Sequence, residues 1–365
     1  MQRTRLFILI GSLFAIPAAS AAEPATGAAA KVPAPVEAKR AAVPAPEQKP
    51  ATPADAKAGA KHADKKNAKE KKPKILARDL FGKAQNAADL TPRAIGWYAK
   101  GCLAGGVHLA DAGPDWQTMR PSRNRAWGHP KLIALLKRLA SEAKQDGYPG
   151  LLVGDISQPR GGPMLTGHAS HQVGLDADIW LTPMPNRILT RREREDIQAT
   201  TMLDKTGLSV DPKVFTPAHV ALIKRAASYP QVERVFVHPA IKKALCEAAG
   251  TNRSWLHKVR PIWGHYYHFH IRIGCPNGGC ETQPPVKGDD GCGAEVKSWL
   301  KSIEASLKPR PKPPGPEKPE IPPSAKRQIT MEQLPAECKV VLSSPGVPPP
   351  ADEAMAATPT AATKK

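Results

Sequence analysis

The sequence predicts one mixed α+β domain framed by two arms unsuited to folding. Three observations carry that reading. Of the 365 residues, 40 are Pro, and most of these lie in two stretches that flank a better-mixed middle. No aromatic residue occurs between Phe14 and Phe81, so that stretch cannot bury enough apolar area to offset the entropy of ordering it. Segments with helical or strand periodicity are confined to the middle, over about residues 76–301.

Residues 1–21 read as a signal peptide rather than as structure. Arg3 and Arg5 give a positive start, Leu6 to Ile16 an apolar run, and Ala19-Ser20-Ala21 a small-residue cleavage site. The run is short of the roughly 20 apolar residues that span a bilayer; an uncleaved anchor is the alternative. Residues 22–75 are Ala, Pro and Lys repeats and read as an extended basic tether. The tether's positive charge can serve nucleic acid in general, but the expected export to the periplasm argues against it, so no nucleic-acid partner is expected. Anionic groups of the envelope remain as weak counter-ions, and a merely solvated spacer is the plain alternative.

Within the domain, Pro130 to Leu139 has helical spacing with Pro in the first turn. Gly150 to Ile156 reads as a buried strand, Leu175 to Leu181 as an alternating strand, Pro217 to Ala227 as a helix and Glu233 to Val237 as a short strand. Tyr266 to Ile273 is the clearest strand. Residues 302–365 are a Pro-rich tail, yet Cys338 lies inside it, so a disulfide can pin the tail to the domain. The six cysteines are even in number and none has C-x-x-C spacing, which favours disulfides in an oxidising compartment over a zinc knuckle. Composition alone leaves their pairing open.

Five of the 11 histidines fall in two clusters, Gly167-His168-Ala169-Ser170-His171-Gln172-Val173-Gly174-Leu175-Asp176-Ala177-Asp178 and Gly264-His265-Tyr266-Tyr267-His268-Phe269-His270-Ile271-Arg272-Ile273. Strand alternation puts His268, His270 and Arg272 on one face and Tyr267, Phe269, Ile271 and Ile273 on the core face. A lone buried His is more often structural, but two in register with a third nearby point to a metal. Gly174 permits a turn that lets His171 and Asp178 converge. Two His and one carboxylate leave a fourth position for water, the pattern of a catalytic zinc. The alternative is that the two Asp cap turns and the His bond to backbone.

These residues carry a family resemblance. Ser170-His171-Gln172-Val173-Gly174-Leu175-Asp176-Ala177-Asp178 followed by His268-Phe269-His270 resembles the LAS metallopeptidases (lysostaphin-type enzymes, D-Ala-D-Ala carboxypeptidases and sonic hedgehog). Within them the chain is similar to the penicillin-insensitive murein endopeptidases, sharing Gly128-His129-Pro130, Gly167-His168-Ala169-Ser170-His171, Val259-Arg260-Pro261, Cys275-Pro276 and Gly291-Cys292-Gly293. The resemblance spans about Gly101 to Leu300. It implies an α+β fold with a small antiparallel sheet and flanking helices, and zinc on His171, Asp178 and His270. It implies that His268 is general base or stabilises the tetrahedral intermediate, that His265 lines the site, and that His168 is a further or alternative ligand. It further implies disulfides Cys102–Cys338, Cys246–Cys292 and Cys275–Cys280, and a peptidoglycan substrate cut at the D-alanyl–diaminopimelate cross-link. Arg120 and Arg125, also present in relatives, are candidates to clamp substrate carboxylates, or else belong to a solvated basic surface. Where some relatives have Asp-x-x-His, read as a second metal site, Asp204 to Asp211 contains no His, so a second ion lacks support.

Two other function classes compete. Ser141-Glu142-Ala143-Lys144 and Lys205-Thr206-Gly207 match fragments of a penicillin-binding serine acyltransferase, but no S-x-N lies between them and S-x-x-K recurs at Ser298 to Lys301. A non-catalytic wall-binding relative would lose a ligand or the adjacent His, and all four are present here. H-E-x-x-H is absent.

Overall fold

The computed structural model of the protein describes residues 75–276, 278–308 and 328–350. The expected signal peptide, the tether up to residue 74, and residues 309–327 and 351–365 of the tail lie outside the described residues.

The described chain opens with α1 (Ala77–Phe81), β1 (Ala87–Ala88) and a hairpin of β2 (Arg93–Trp97) and β3 (Lys100–Ala104). β4 (Val107–His108), β5 (Trp116–Thr118) and β6 (Trp127–Gly128) lead to α2 (Pro130–Gln145), β7 (Leu151–Val153) and β8 (Asp176–Trp180). Then come α3 (Arg191–Asp196), α4 (Pro217–Ser228), β9 (Val232–Val237), α5 (Pro239–Ala248), β10 (Val259–Pro261) and β11 (His268–Ile273). α6 (Ala294–Leu307), α7 (Glu337–Ser343) and β12 (Gly346–Val347) close the described chain. α6 continues past residue 301, where the domain was expected to end.

α2 forms because its apolar residues recur at helical spacing. Leu132, Ile133, Leu135, Leu136, Leu139, Ala140 and Ala143 make one buried face. Pro130 sits at the first helical position, where a missing N–H costs nothing, and the His129 ring accepts from the Lys131 amide.

Six strands make the main sheet, in the order β10-β9-β11-β8-β7-β5. The centre is antiparallel, as expected, because β11 pairs with both β8 and β9 that way. The outer pairs, β10 with β9 and β5 with β7, are parallel. Parallel neighbours need a crossover, and α5 and α2 supply the two. β11 is therefore an interior strand. Phe269, Ile271 and Ile273 enter the main core with Leu132, Leu136 and Leu222, each side chain contributing about 1.5–3 kcal/mol of burial. Tyr267 does not join them, correcting the expected alternation. The strand begins at His268, two residues later than expected, after a turn in which Gly264 and His265 both have positive φ.

A second, smaller core joins the two ends of the described chain. Phe81, Ile95 and Ala104 pack with Met331, Leu334 and Val341 around the Cys102–Cys338 disulfide. β1 pairs with β12, and Arg160 donates to the carbonyls of Val341 (2.8 Å) and Leu342 (2.7 Å). The end of the Pro-rich tail is thus part of the fold. Closing a loop of 236 residues removes on the order of 5 kcal/mol of unfolded-state entropy. Cys246–Cys292 and Cys275–Cys280 are also bonded, so all three implied pairings are present. Among the described residues no helix is long and apolar enough to cross a membrane.

Candidate metal centre and cleft

The register of β8 against β11 builds the centre. Asp178 lies opposite His270 and Asp176 opposite Arg272, all on the face turned away from the main core. A slip of one residue would exchange these groups for Ala177, Ile179 and Ile271. His171 arrives from the loop before β8 in a left-handed conformation, φ 65°, held by its amide donating to Asp176 Oδ2 at 3.1 Å. The chain can reverse here because Gly174 also has positive φ. A Cβ at that position would meet Leu103 Cδ2 at 2.7 Å and the His129 amide nitrogen at 2.9 Å.

Hydrogen bonds fix which ring nitrogens face the centre. His171 Nδ1 lies 2.6 Å from the Ile156 carbonyl, so Nδ1 carries the proton and Nε2 keeps its lone pair. His270 Nε2 lies 2.8 Å from Asp176 Oδ1, so its Nδ1 is the free nitrogen. The three inward atoms form a nearly equilateral triangle. His171 Nε2 to His270 Nδ1 is 3.2 Å, His171 Nε2 to Asp178 Oδ1 is 3.4 Å and His270 Nδ1 to Asp178 Oδ1 is 3.3 Å. Donors about 2.0–2.1 Å from a tetrahedral ion stand roughly 3.3 Å apart, so the residues fit such an ion. Asp178 Oδ1 is buried with no hydrogen-bond partner, because the atoms beside it offer lone pairs. A cation is what this arrangement needs.

Charge follows the same logic. Burial alone would raise Asp178, yet His268, His171 and His168 hold it well below the ordinary carboxylate range. Burial likewise opposes ionisation of Asp176, and Arg272, donating to it at 2.7 Å, outweighs that and lowers it. Burial would lower His270, but Asp176 raises it.

The other predicted histidines sit around this triangle. His168 Nε2 is 3.0 Å from Asp155 Oδ2 and 3.5 Å from Asp178 Oδ2, the oxygen turned away from the triangle. It can still share an ion with His171 and Asp178. His268 Nε2 lies 3.7 Å from Asp178 Oδ2, and its buried Nδ1 has no partner. Burial lowers its pKa, partly offset by Asp178. His265, φ 57°, stacks with its ring 4.7 Å from that of His268, and burial with the neighbouring His268 and His270 pushes it down to about 3.

A cavity of about 320 Å³ opens over the Asp178 and His268 side of the cluster, walled by Arg120, Arg123, Tyr266 and Tyr267. The two arginines read from the sequence are occupied. Arg120 donates to the carbonyls of Glu195 and Ile197 and lies over Trp180. Arg125, nearly buried, pairs with Asp155 at 2.8 Å and donates to Thr166. Backbone carbonyls thus engage Arg120 on the cavity wall, while Arg125 is tied to a buried carboxylate and is not among the residues lining this cavity. Arg123, Asp155 and Asp176 were missed. For Asp155 a signal existed, a carboxylate closing the apolar run Leu151-Leu152-Val153-Gly154.

A sheet-borne His/Asp triangle beside a polar cleft is a group that could hold a metal ion, an arrangement suited to a hydrolase. Comparison with known proteins makes this specific. The family profile described as penicillin-insensitive murein endopeptidase matches residues 94–343, and the chain belongs to that family of peptidoglycan peptidases. Curated proteins of that name are similar along the domain. The Haemophilus influenzae protein is 46% identical over 227 residues, covering 61% of this chain and 79% of its own. The Pectobacterium atrosepticum protein is 41% identical over 256 residues, 69% and 84% of the two chains. The Klebsiella pneumoniae protein is 40% identical over 252 residues, 68% and 86%.

Proposed function

We propose that this chain is a zinc-dependent murein endopeptidase that hydrolyses the D-alanyl–diaminopimelate cross-link of peptidoglycan in the periplasm. The observation that carries the zinc reading is the triangle of His171 Nε2, Asp178 Oδ1 and His270 Nδ1, whose spacing and orphaned carboxylate oxygen suit one tetrahedral ion. When bound, zinc brings the pKa of water to about 7 and stabilises negative charge on the amide oxygen. The protein does the rest. Asp176 and the Ile156 carbonyl orient the two imidazoles. His268, on the cleft wall, takes a proton at Nε2 as the amide is attacked and delivers it to the leaving nitrogen. His265 stacks on His268 and keeps its ring in place. His168 supports Asp178 from the side away from the triangle.

Insensitivity to penicillin follows from having no acylatable serine in the cleft. Ser141 and Lys144 are exposed on α2, and Ser298 is exposed on α6. Three disulfides suit an exported protein. The deciding experiment assays purified protein for zinc and for release of monomeric muropeptides from cross-linked murein. About one zinc per chain and activity lost to a chelator but kept in penicillin are expected. Metal-replete protein inert on murein would overturn the reading.

A further inference from the structure

We infer that Arg123 is the carboxylate-binding residue of the cleft, recognising an anionic group on the substrate next to the scissile bond. The inference rests on the peptidase reading above.

Three observations point to it. First, one carboxylate is shared by several groups at this edge of the cleft. Asp155 Oδ2 accepts from both Arg123 (3.1 Å) and Arg125 (2.8 Å), two cations on one carboxylate. Arg125 also donates through Nη2 to Thr166, whereas the Arg123 guanidinium makes no second hydrogen bond among the described residues; the other carboxylate that feels its charge, Glu195, is held by Ser122. Second, Arg123 is the accessible one. Its side chain is 46% exposed against 9% for Arg125, and it lines the cavity with Asp178 and His268. Third, only Nη1 is engaged within the described residues. Nε and Nη2 remain for a ligand, and a planar guanidinium with two donors on one edge matches a carboxylate. Asp155 anchors the Nη1 end, so little side-chain freedom is lost on binding.

The proposed substrate supplies the matching group. In the D-alanyl–diaminopimelate cross-link, the carbon bearing the scissile nitrogen also carries a free carboxylate. Docked on Arg123, that carboxylate would set the amide against the Asp178 and His268 side of the cluster. Arg123 then selects for cross-links over neutral peptides.

The test compares two cross-linked peptide dimers, one with this carboxylate free and one with it converted to the carboxamide. Wild-type enzyme should favour the free acid in kcat/KM by roughly tenfold to a hundredfold, the worth of one charge-assisted contact. In Arg123→Gln the ratio should fall to near one, and Arg123→Lys should restore part of it. Calorimetric binding of the carboxylate-bearing product peptide and its carboxamide gives a readout independent of turnover. Hydrolysis with no preference in the wild type, or a preference that survives Arg123→Gln, overturns the proposal and leaves the peptidase reading intact. Carboxylate-dependent binding abolished by Arg123→Gln without hydrolysis overturns the peptidase reading, and with it a contact beside a scissile bond, while Arg123 stands as a carboxylate-binding residue. Neither hydrolysis nor carboxylate-dependent binding overturns both.

Discussion

The groups that border the cleft come from two kinds of backbone. Asp176, Asp178, His268 and His270 stand on paired strands, are nearly or fully buried, and owe their positions to the β8–β11 register. His168, His265 and the Arg120–Arg125 segment stand on loops, several in left-handed conformations, and of these His168, Arg120 and Arg123 line the cavity. The strand groups are locked to a sheet whose other face is the main core, so they suit holding an ion at fixed distances. The loop groups are partly exposed and suit contact with substrate. His171 belongs to both, a left-handed loop residue tied to the sheet through Asp176.

The largest expected effect breaks the strand half. His270→Ala should lose zinc and at least about a thousandfold in muropeptide release, since one of three donors is gone. His268→Ala should retain zinc while turnover falls roughly a hundredfold to ten-thousandfold. Metal analysis beside kinetics separates the two, and equal metal loss in both variants contradicts the role given to His268. Next comes Asp176→Asn, which touches no ion but orients His270 and anchors Arg272. Zinc affinity should weaken about 10- to 100-fold, read by competition with a chelator. If affinity is unchanged, the orienting role is wrong.

Away from the cleft the effects are on stability. Replacing Cys102 and Cys338 by Ser should cost about 2–5 kcal/mol in denaturant unfolding while activity per folded molecule holds, because the small core carries no cleft group. The smallest effect is at Lys242, which is fully buried and donates to the carbonyls of Leu256 (2.8 Å) and Asp290 (2.6 Å). Burial lowers its pKa to about 8 from 10.5. The folded state therefore holds this proton less tightly than the unfolded chain. The resulting penalty is full below pH about 8 and is relieved as pH rises toward 10.5. Lys242→Met should flatten that rise in a pH series of unfolding curves; an unchanged slope removes the assignment.

Much of this was legible beforehand. The strand expected at β11, with Tyr267 left outside it, and the helix expected at α2 are local patterns and are present in the fold, which also brings His171, Asp178 and His270 into one triangle. The parallel outer strands were not legible, because crossovers through α2 and α5 depend on which distant strands meet. The arginines show the same limit. Arg120, Arg123 and Arg125 fall within six residues, and the resemblance to relatives singled out Arg120 and Arg125 while passing over Arg123. Only the positions of Asp155, Thr166 and the carbonyls of α3 and its end decide which guanidinium stays available.

By itself, then, the sequence determined the residue types that can hold a metal, their places on strand or turn, the cysteine inventory and the family. Donor atoms recur at spacings set by backbone geometry, and that geometry is local. Tertiary structure decided which nitrogen of each imidazole faces the centre, that Asp176 bonds to His270 and Arg272 while Asp178 Oδ1 faces the two inward nitrogens, and that the tail returns to complete a second core. Those outcomes depend on register and long-range packing between residues as far apart as Cys102 and Cys338, which no local pattern encodes.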